Sequence, residues 1–290
     1  MTRTLVTGST GQVGQEVLAV AAGRGHRVEG LARGAAEPCD LRDRDAVLAR
    51  VSAFRPDLIV HAGAFTAVDR CEAEPDLARA VNVAGTAHVA EAARAVGAHV
   101  VYLSTDYVYD GTKDGPYVET DPVNPLSVYG RTKLDGEGRL DGGWTVARTS
   151  WVCGAHGPNM VRTILRLAAG DGTLRFVDDQ VGHPTFTADL APRLLDLGQG
   201  RAAGVFHVTN AGAVSWHRFA REVLAAAGHD PDRVEPVATA DLVPPRPAPR
   251  PANSVLENRA LAAAGYPPLP DFRAALRALV ATVAAEGAAR

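Results

Sequence analysis

The strongest constraint on what this chain can fold into is a rhythm in its first half: short apolar runs, each separated from the next by an alanine-rich stretch of helical length. The runs are TLVTG (4–8), HRVEGLA (26–32), DLIVHAG (57–63), HVVYLST (99–105) and WTVARTS (144–150). Strands covered on both faces read as continuous apolar runs, and strands alternating with helices imply βαβ units. The expected fold class is therefore α/β, a doubly wound parallel sheet with its ligands beyond the carboxyl ends of the strands.

The second half is less regular. Helices are expected around 160–170, 215–228 and 271–286, and strands at 174–179 and 205–210. The stretch DLVPPRPAPRPANS (241–254) excludes regular helix or a central strand, and is read as a loop on the surface of a second, smaller lobe. No internal repeat is present.

Bulk properties narrow the partners. A net charge of −3 in 290 residues argues against a nucleic-acid or anionic-membrane surface. A small molecule is the expected ligand. Cys39, Cys71 and Cys153 show neither paired spacing nor an even count, so no zinc site or disulfide framework is indicated and a reducing cytoplasm is expected. The start MTRTLVTGST enters strand and turn chemistry directly, and no apolar run reaches membrane-spanning length, so a soluble chain is expected.

The segment TGSTGQVG places Gly8, Gly11 and Gly14, with Gln12 and Val13, at the turn from the first strand into the first helix. Glycines there admit a pyrophosphate close to the backbone, and the helix start offers it free N–H groups. The spacing is GxxGxxG, and a tight turn alone would look alike; its place directly after a strand favours a dinucleotide. A carboxylate at the end of the second strand would select NAD, but GLARG supplies Arg33, which favours NADPH, with NADH as the alternative. Asp40 and Leu41 could border the adenine, although Asp40 is equally suited to cap a helix.

Nearly every cation in the chain is arginine; the lysines are Lys113 and Lys133. Lys133 lies four residues after Tyr129 in YGRTK, a spacing that sets both on one helical face. A tyrosine with an ordinary pKa near 10 is a weak acid at neutral pH. A cation about 4 Å away at an effective dielectric of about 20 supplies about 4 kcal/mol toward its phenolate. Lys133 is expected to do this while holding a cofactor ribose. LSTDYVYDG adds Ser104, Thr105 and Asp106 at the end of the fourth strand, where Thr105 could bond a reacting carbonyl oxygen.

Glycine turn, hydroxyl strand end and YxxxK helix, in that order, resemble the extended short-chain dehydrogenase/reductase family, and within it the dTDP-4-dehydrorhamnose reductases. The longer matching segments are HAGAFTAVDRCEAEP (61–75), NPLSVYGRTKLDGE (124–137), RTSWV (148–152), VDDQVGHPT (177–185) and RPANSVLENRAL (250–261). The resemblance implies a Rossmann-type domain over 1–151 plus about 183–212, and a smaller α/β substrate-binding lobe over about 152–182 plus 213–290. It implies NADPH-dependent reduction of the C4 ketone of dTDP-4-dehydro-6-deoxy-L-mannose to dTDP-L-rhamnose, with Thr105, Tyr129 and Lys133 catalytic and Tyr129 the proton donor.

Carried over in the same way, Gly8, Gly11, Gln12 and Val13 hold the pyrophosphate, Asp40 and Leu41 edge the adenine, and Ala62, Gly63 and Ala64 follow the ribose. Ser104, Asp106 and Trp151 would meet the sugar. His61 and Gly63 depart from the asparagine and alanine usual in that segment, and Tyr109 from a phenylalanine. Some relatives bind Mg2+ at a dimer interface; no matching acidic set is present, and a homodimer is left open. Reduction of another dTDP-deoxysugar, a nucleotide-sugar epimerase and a non-catalytic regulatory subunit are the competing readings.

Overall fold

The computed structural model of the chain describes residues 1–288. Strand β1 (Arg3–Thr7) turns into α1 (Gln12–Gly23), followed by β2 (Arg27–Leu31), α2 (Arg44–Phe54) and β3 (Leu58–His61). Two short helices, α3 (Val68–Ala73) and α4 (Pro75–Arg79), run through a π-turn at Ala80–Ala84 into α5 (Gly85–Val96) and β4 (His99–Thr105). After a long loop come α6 (Val128–Glu137) and β5 (Thr145–Thr149). Next are β6 (Val152–Cys153), α7 (Met160–Ala168), β7 (Leu174–Val177), β8 (Val181–Gly182), β9 (Thr185–Phe186), α8 (Thr187–Gln199) and β10 (Gly204–His207). The chain finishes with β11 (Val214–Ser215), α9 (Trp216–Ala226), β12 (Val234–Val237), α10 (Arg259–Ala263) and α11 (Phe272–Ala288).

Six strands form one sheet in the order β10-β5-β4-β3-β1-β2, and every neighbouring pair is parallel. Both faces are buried, which is why its strands read as unbroken apolar runs. Leu5, Ile59 and Val100 point to one side against Val47 and Val51 of α2 and Val89 of α5. The next residues along, Val6, Val60 and Val101, point to the other against Val17 of α1 and Leu190 and Leu194 of α8. Strand order reverses between β1 and β3, the crevice where doubly wound sheets take their ligands.

A separate core joins α7, α9 and α11 through Ile164, Phe219, Val223, Phe272 and Leu276. Helices α7 and α9 start where Asn159 and Ser215 accept bonds from the backbone N–H of Arg162 and Arg218. Small sheets, β7 with β12 and β8 with β11, complete this part.

The proline-rich stretch is the irregular, mostly exposed loop expected, and it is anchored at a few points. Ala248, Pro251 and Ser254 are buried, and Arg250 pairs with Asp69 of α3 at 2.8 Å. Asn253 donates to the carbonyls of Lys113 and Gly115, and Ser254 N–H to Val181. Proline removes donors, but Arg250 between the last two prolines and Asn253 and Ser254 just after them supply side-chain and backbone bonds that tie the strap to several elements.

Candidate active site

Gly8 closes β1 with a φ of +66°, and a Cβ there would lie 2.7 Å from the Cα of Gly63 at the end of β3. A Cβ on Gly14 would lie 2.2 Å from the Gly8 carbonyl oxygen. The turn thus closes only because these side chains are absent, and the start of α1 packs down onto it. A glycine cradle at a helix start, beside the sheet's reversal point, fits a dinucleotide pyrophosphate.

His61 shows what supports the cradle. Thr7 Oγ1 accepts from Gly63 N–H at 3.1 Å and lies 2.6 Å from His61 Nδ1; His61 Nε2 lies 3.1 Å from Thr86 Oγ1, which itself donates to the Asn82 carbonyl. The donors are consistent in one direction, with Thr7 giving its proton to Nδ1 and Nε2 carrying the imidazole hydrogen. Burial and the Lys133 cation hold this ring's pKa down at about 3, so it stays neutral. Asn82, in the π-turn, holds the next loop through both backbone groups of Phe65 and donates to Thr132 of α6.

A cleft of about 690 Å³ runs from this cradle across the carboxyl ends of β1, β3, β4 and β5. Every candidate catalytic, cofactor and sugar residue lines it: Gly8, Gly11, Gln12, Val13, Gly14, Arg33, Asp40, Leu41, Ala62, Gly63, Ala64, Ser104, Thr105, Asp106, Tyr129, Lys133 and Trp151. Asp40 does not cap α2; Asp43 does, accepting from Ala46 N–H, while Asp40 is paired with Arg42 at 2.6 Å. That pairing holds the Asp40 carboxyl below the usual carboxylate range. Ser104 borders the cleft, but its hydroxyl donates to Glu137.

Ser127 caps α6 by accepting from Gly130 N–H, and the helix carries Tyr129 and Lys133 one turn apart beneath the end of β4. Thr105 accepts from Tyr107 N–H, donates to Asp106 Oδ1 at 2.9 Å, and reaches the Tyr129 phenol. Lys133 is buried with its ammonium over the Tyr102 ring, 4.0 Å from the centroid, and donates to the Leu103 carbonyl at 2.7 Å. Burial lowers its pKa to about 7, against a pull upward from Glu137.

The expectation that Lys133 draws the Tyr129 phenol toward neutrality is not met in this environment. Burial pushes the phenol well above its ordinary value, the Thr105 contact pulls it part of the way back, and Asp106 and Tyr107 push it further up. Tyr129 is therefore a protonated phenol across neutral pH, which is the form a proton donor needs. Asp106, buried with Oδ2 lacking a hydrogen-bond partner, is raised to about 6 by desolvation.

Two aromatic groups at the cleft carry no sequence signal. Trp216, at the start of α9, stacks on Trp151 with ring centroids 3.6 Å apart and planes 9° from parallel, and both line the cleft. Trp151 is held in the left-handed region at φ +44°, rare for a large side chain. Tyr107 meets the Tyr129 ring edge-on at 5.7 Å. Gln12 reaches from the turn to the segment before α7: its Oε1 accepts from Gly154 N–H and Asn159 Nδ2, and its Nε2 donates to the Pro158 carbonyl.

A Rossmann-type sheet, a glycine cradle at its reversal point and a YxxxK helix under β4 define the class of nicotinamide-dependent short-chain oxidoreductases. Within that class, the family model of the RmlD substrate binding domain matches residues 2–285, and the chain belongs to that family. It is 45% identical over 284 residues to a dTDP-4-dehydrorhamnose reductase of Streptomyces griseus, covering 94% of this chain and 91% of that protein. The structure of a dTDP-4-dehydrorhamnose reductase from Bacillus anthracis in complex with NADP superposes with a TM-score of 0.90 at 32% identity, covering 96% of this chain and 98% of that one. A probable dTDP-4,6-dihydroxy-2-methyloxan-3-one 4-ketoreductase of Streptomyces antibioticus is 39% identical, over 95% of this chain and 93% of its own length.

Proposed function

We propose that this chain reduces the C4 ketone of dTDP-4-dehydro-6-deoxy-L-mannose to dTDP-L-rhamnose, using NADPH. The observation that carries the reading is the Thr105–Tyr129–Lys133 group at the strand end, with Thr105 and Lys133 buried and Tyr129 partly so, beside a glycine cradle shaped for a dinucleotide. Gly8, Gly11, Gln12, Val13 and Gly14 would hold the pyrophosphate, Arg33 the 2′-phosphate, Asp40 and Leu41 the adenine edge, and Ala62, Gly63 and Ala64 the ribose side. When bound, the nicotinamide supplies hydride to C4.

The chain's own residues do the rest. Thr105 orients the C4 carbonyl oxygen, and the Tyr129 phenol gives it a proton. Lys133 stabilises the phenolate left behind, most strongly as charge develops in the transition state. Asp106 and the stacked Trp151 and Trp216 border the sugar. The cysteines are free and buried, which suits the reducing cytoplasm in which we place the reaction. Among the described residues, no helix is long and apolar enough to cross a membrane.

The Streptomyces antibioticus relative favours a second reading, the same reaction on another dTDP-4-keto sugar. An assay that generates dTDP-4-dehydro-6-deoxy-L-mannose in place, follows NADPH and NADH oxidation and identifies the product by NMR separates them. Oxidation with dTDP-L-rhamnose as product is expected, faster with NADPH. Absence of oxidation with that sugar, alongside turnover of another keto-sugar, overturns the first reading. Tyr129→Phe should lose about 10²–10⁴-fold in turnover with NADPH binding retained.

A further inference from the structure

Tyr129, Lys133 and Glu137 recur at four-residue intervals along one face of α6, so each stands one turn from the next. The ketone reduction as described uses only the first two. Glu137 is buried with Arg148 of β5, their side chains 9% and 6% exposed. Its carboxylate accepts from Arg148 Nη2 at 2.7 Å, from Arg148 Nε at 3.0 Å and from the Ser104 hydroxyl. A buried ion pair is a poor device for stability, because apolar side chains of similar volume often do as well. Its presence behind the reacting group points to another use.

We propose that Glu137 is a positioning residue for the ketone reduction: anchored by Arg148 and Ser104, its carboxylate seats α6 on β4 and keeps the Lys133 ammonium charged one turn away. Three consecutive residues of β4 receive this helix. Tyr102 donates to the Lys133 carbonyl, the Leu103 carbonyl accepts from Lys133 Nζ, and Ser104 donates to Glu137. Gly136 allows the approach, since a Cβ there would lie 2.4 Å from the Tyr102 hydroxyl.

Charged and titratable neighbours agree with the assignment. Tyr102 of β4 and the neutral His61 of β3 face Lys133, and neither supplies an anion. Asp106 and Tyr107, in the turn after β4, face Tyr129, as does Cys71 of α3. Glu72 of α3 is engaged at the far end of α6, accepting from Val128 N–H. Tyr109 receives the remaining arm of Arg148 and meets His207 of β10, itself held neutral by burial. Glu137 is the group that draws the buried ammonium's pKa upward.

The chain's two lysines make the test direct. Full-length protein labelled with 13C at lysine Cε gives two signals, which Lys113→Arg assigns. Lys133 in Glu137→Gln should titrate on the order of one pH unit below wild type. The alkaline limb of kcat/KM should move the same way, and Glu137→Asp, which keeps the charge, should hold the wild-type midpoint. An unmoved Lys133 in Glu137→Gln overturns the proposal. If that variant does not fold, Glu137→Asp decides: a full-unit fall despite retained charge overturns it, and a wild-type midpoint supports it. The proposal rests on the reduction described above, but the titration is read without substrate, so a displaced midpoint in a protein that reduces no keto-sugar would count against the reduction alone.

Discussion

Replacing Lys133 by methionine should move stability and activity in opposite directions. The side chain is 3% exposed, and methionine fills nearly the same volume without the charge. Its folded pKa of about 7, against an ordinary value of 10.5, corresponds to roughly 5 kcal/mol of penalty for carrying the ammonium inside. The lost hydrogen bond to Leu103 and the lost contact with the Tyr102 ring return about 2–4 kcal/mol of that. A net gain of about 1–3 kcal/mol, a few degrees in Tm, is expected at neutral pH.

The pH dependence fixes the sign. The folded pKa is depressed, so between about 7 and 10.5 the folded wild type binds fewer protons than the unfolded chain and its stability rises with pH. Lys133→Met should therefore exceed wild type most at pH 7 and below, and the gap should close toward pH 10. Turnover should fall by about 10³, the worth of a unit cation roughly 4 Å from a developing phenolate at an effective dielectric of about 20. Thermal melts from pH 6 to pH 10 beside NADPH oxidation rates test both halves. A variant that is less stable at every pH, or that turns over at the wild-type rate, refutes the reasoning.

Three further outcomes follow from the same geometry. Lys133→Arg keeps the charge but forces a larger planar group into the buried site; moving the cation from about 4 to about 6 Å costs about 1.4 kcal/mol, so at least about tenfold in kcat should be lost. Gly14→Ala drives a Cβ into the Gly8 carbonyl, and calorimetry should find NADPH binding weakened at least about tenfold. Asp106→Asn removes a carboxyl whose folded pKa is raised to about 6; wild type loses stability as pH rises between about 3.8 and 6, so the variant should match it near pH 4 and exceed it by on the order of 3 kcal/mol at pH 8, with turnover reduced. Equal denaturation midpoints at pH 8 would contradict that account.

Much of the sheet and cleft was legible in the chain because buried parallel strands leave apolar runs and nucleotide turns leave glycines. Thr105, Tyr129 and Lys133 stood out for a related reason: strand-end and helix-face spacing are local properties. What escaped reading is non-local. Trp216 reaches Trp151 from a helix that begins 65 positions later, and nothing around it marks a cleft residue. The two-residue strands β6, β8, β9 and β11 are too short to carry a period. The pKa of Tyr129 escaped because desolvation depends on what packs around a group, whereas the spacing to Lys133 reports only a charge. Asn82 was invisible because its role depends on a π-turn and on a partner loop 17 residues away.

Gln12 belongs to the nucleotide turn by position and to the segment before α7 by its side-chain bonds. A single side chain thus ties the glycine turn at the end of β1 to the segment that leads into α7 and its separate core. Any free energy that one ligand gains or loses by shifting Gln12 must reappear in the affinity for the other, since linkage between two sites is reciprocal. In the function proposed above, order of addition and the tendency of spent coenzyme to linger once the sugar has left would depend on this amide.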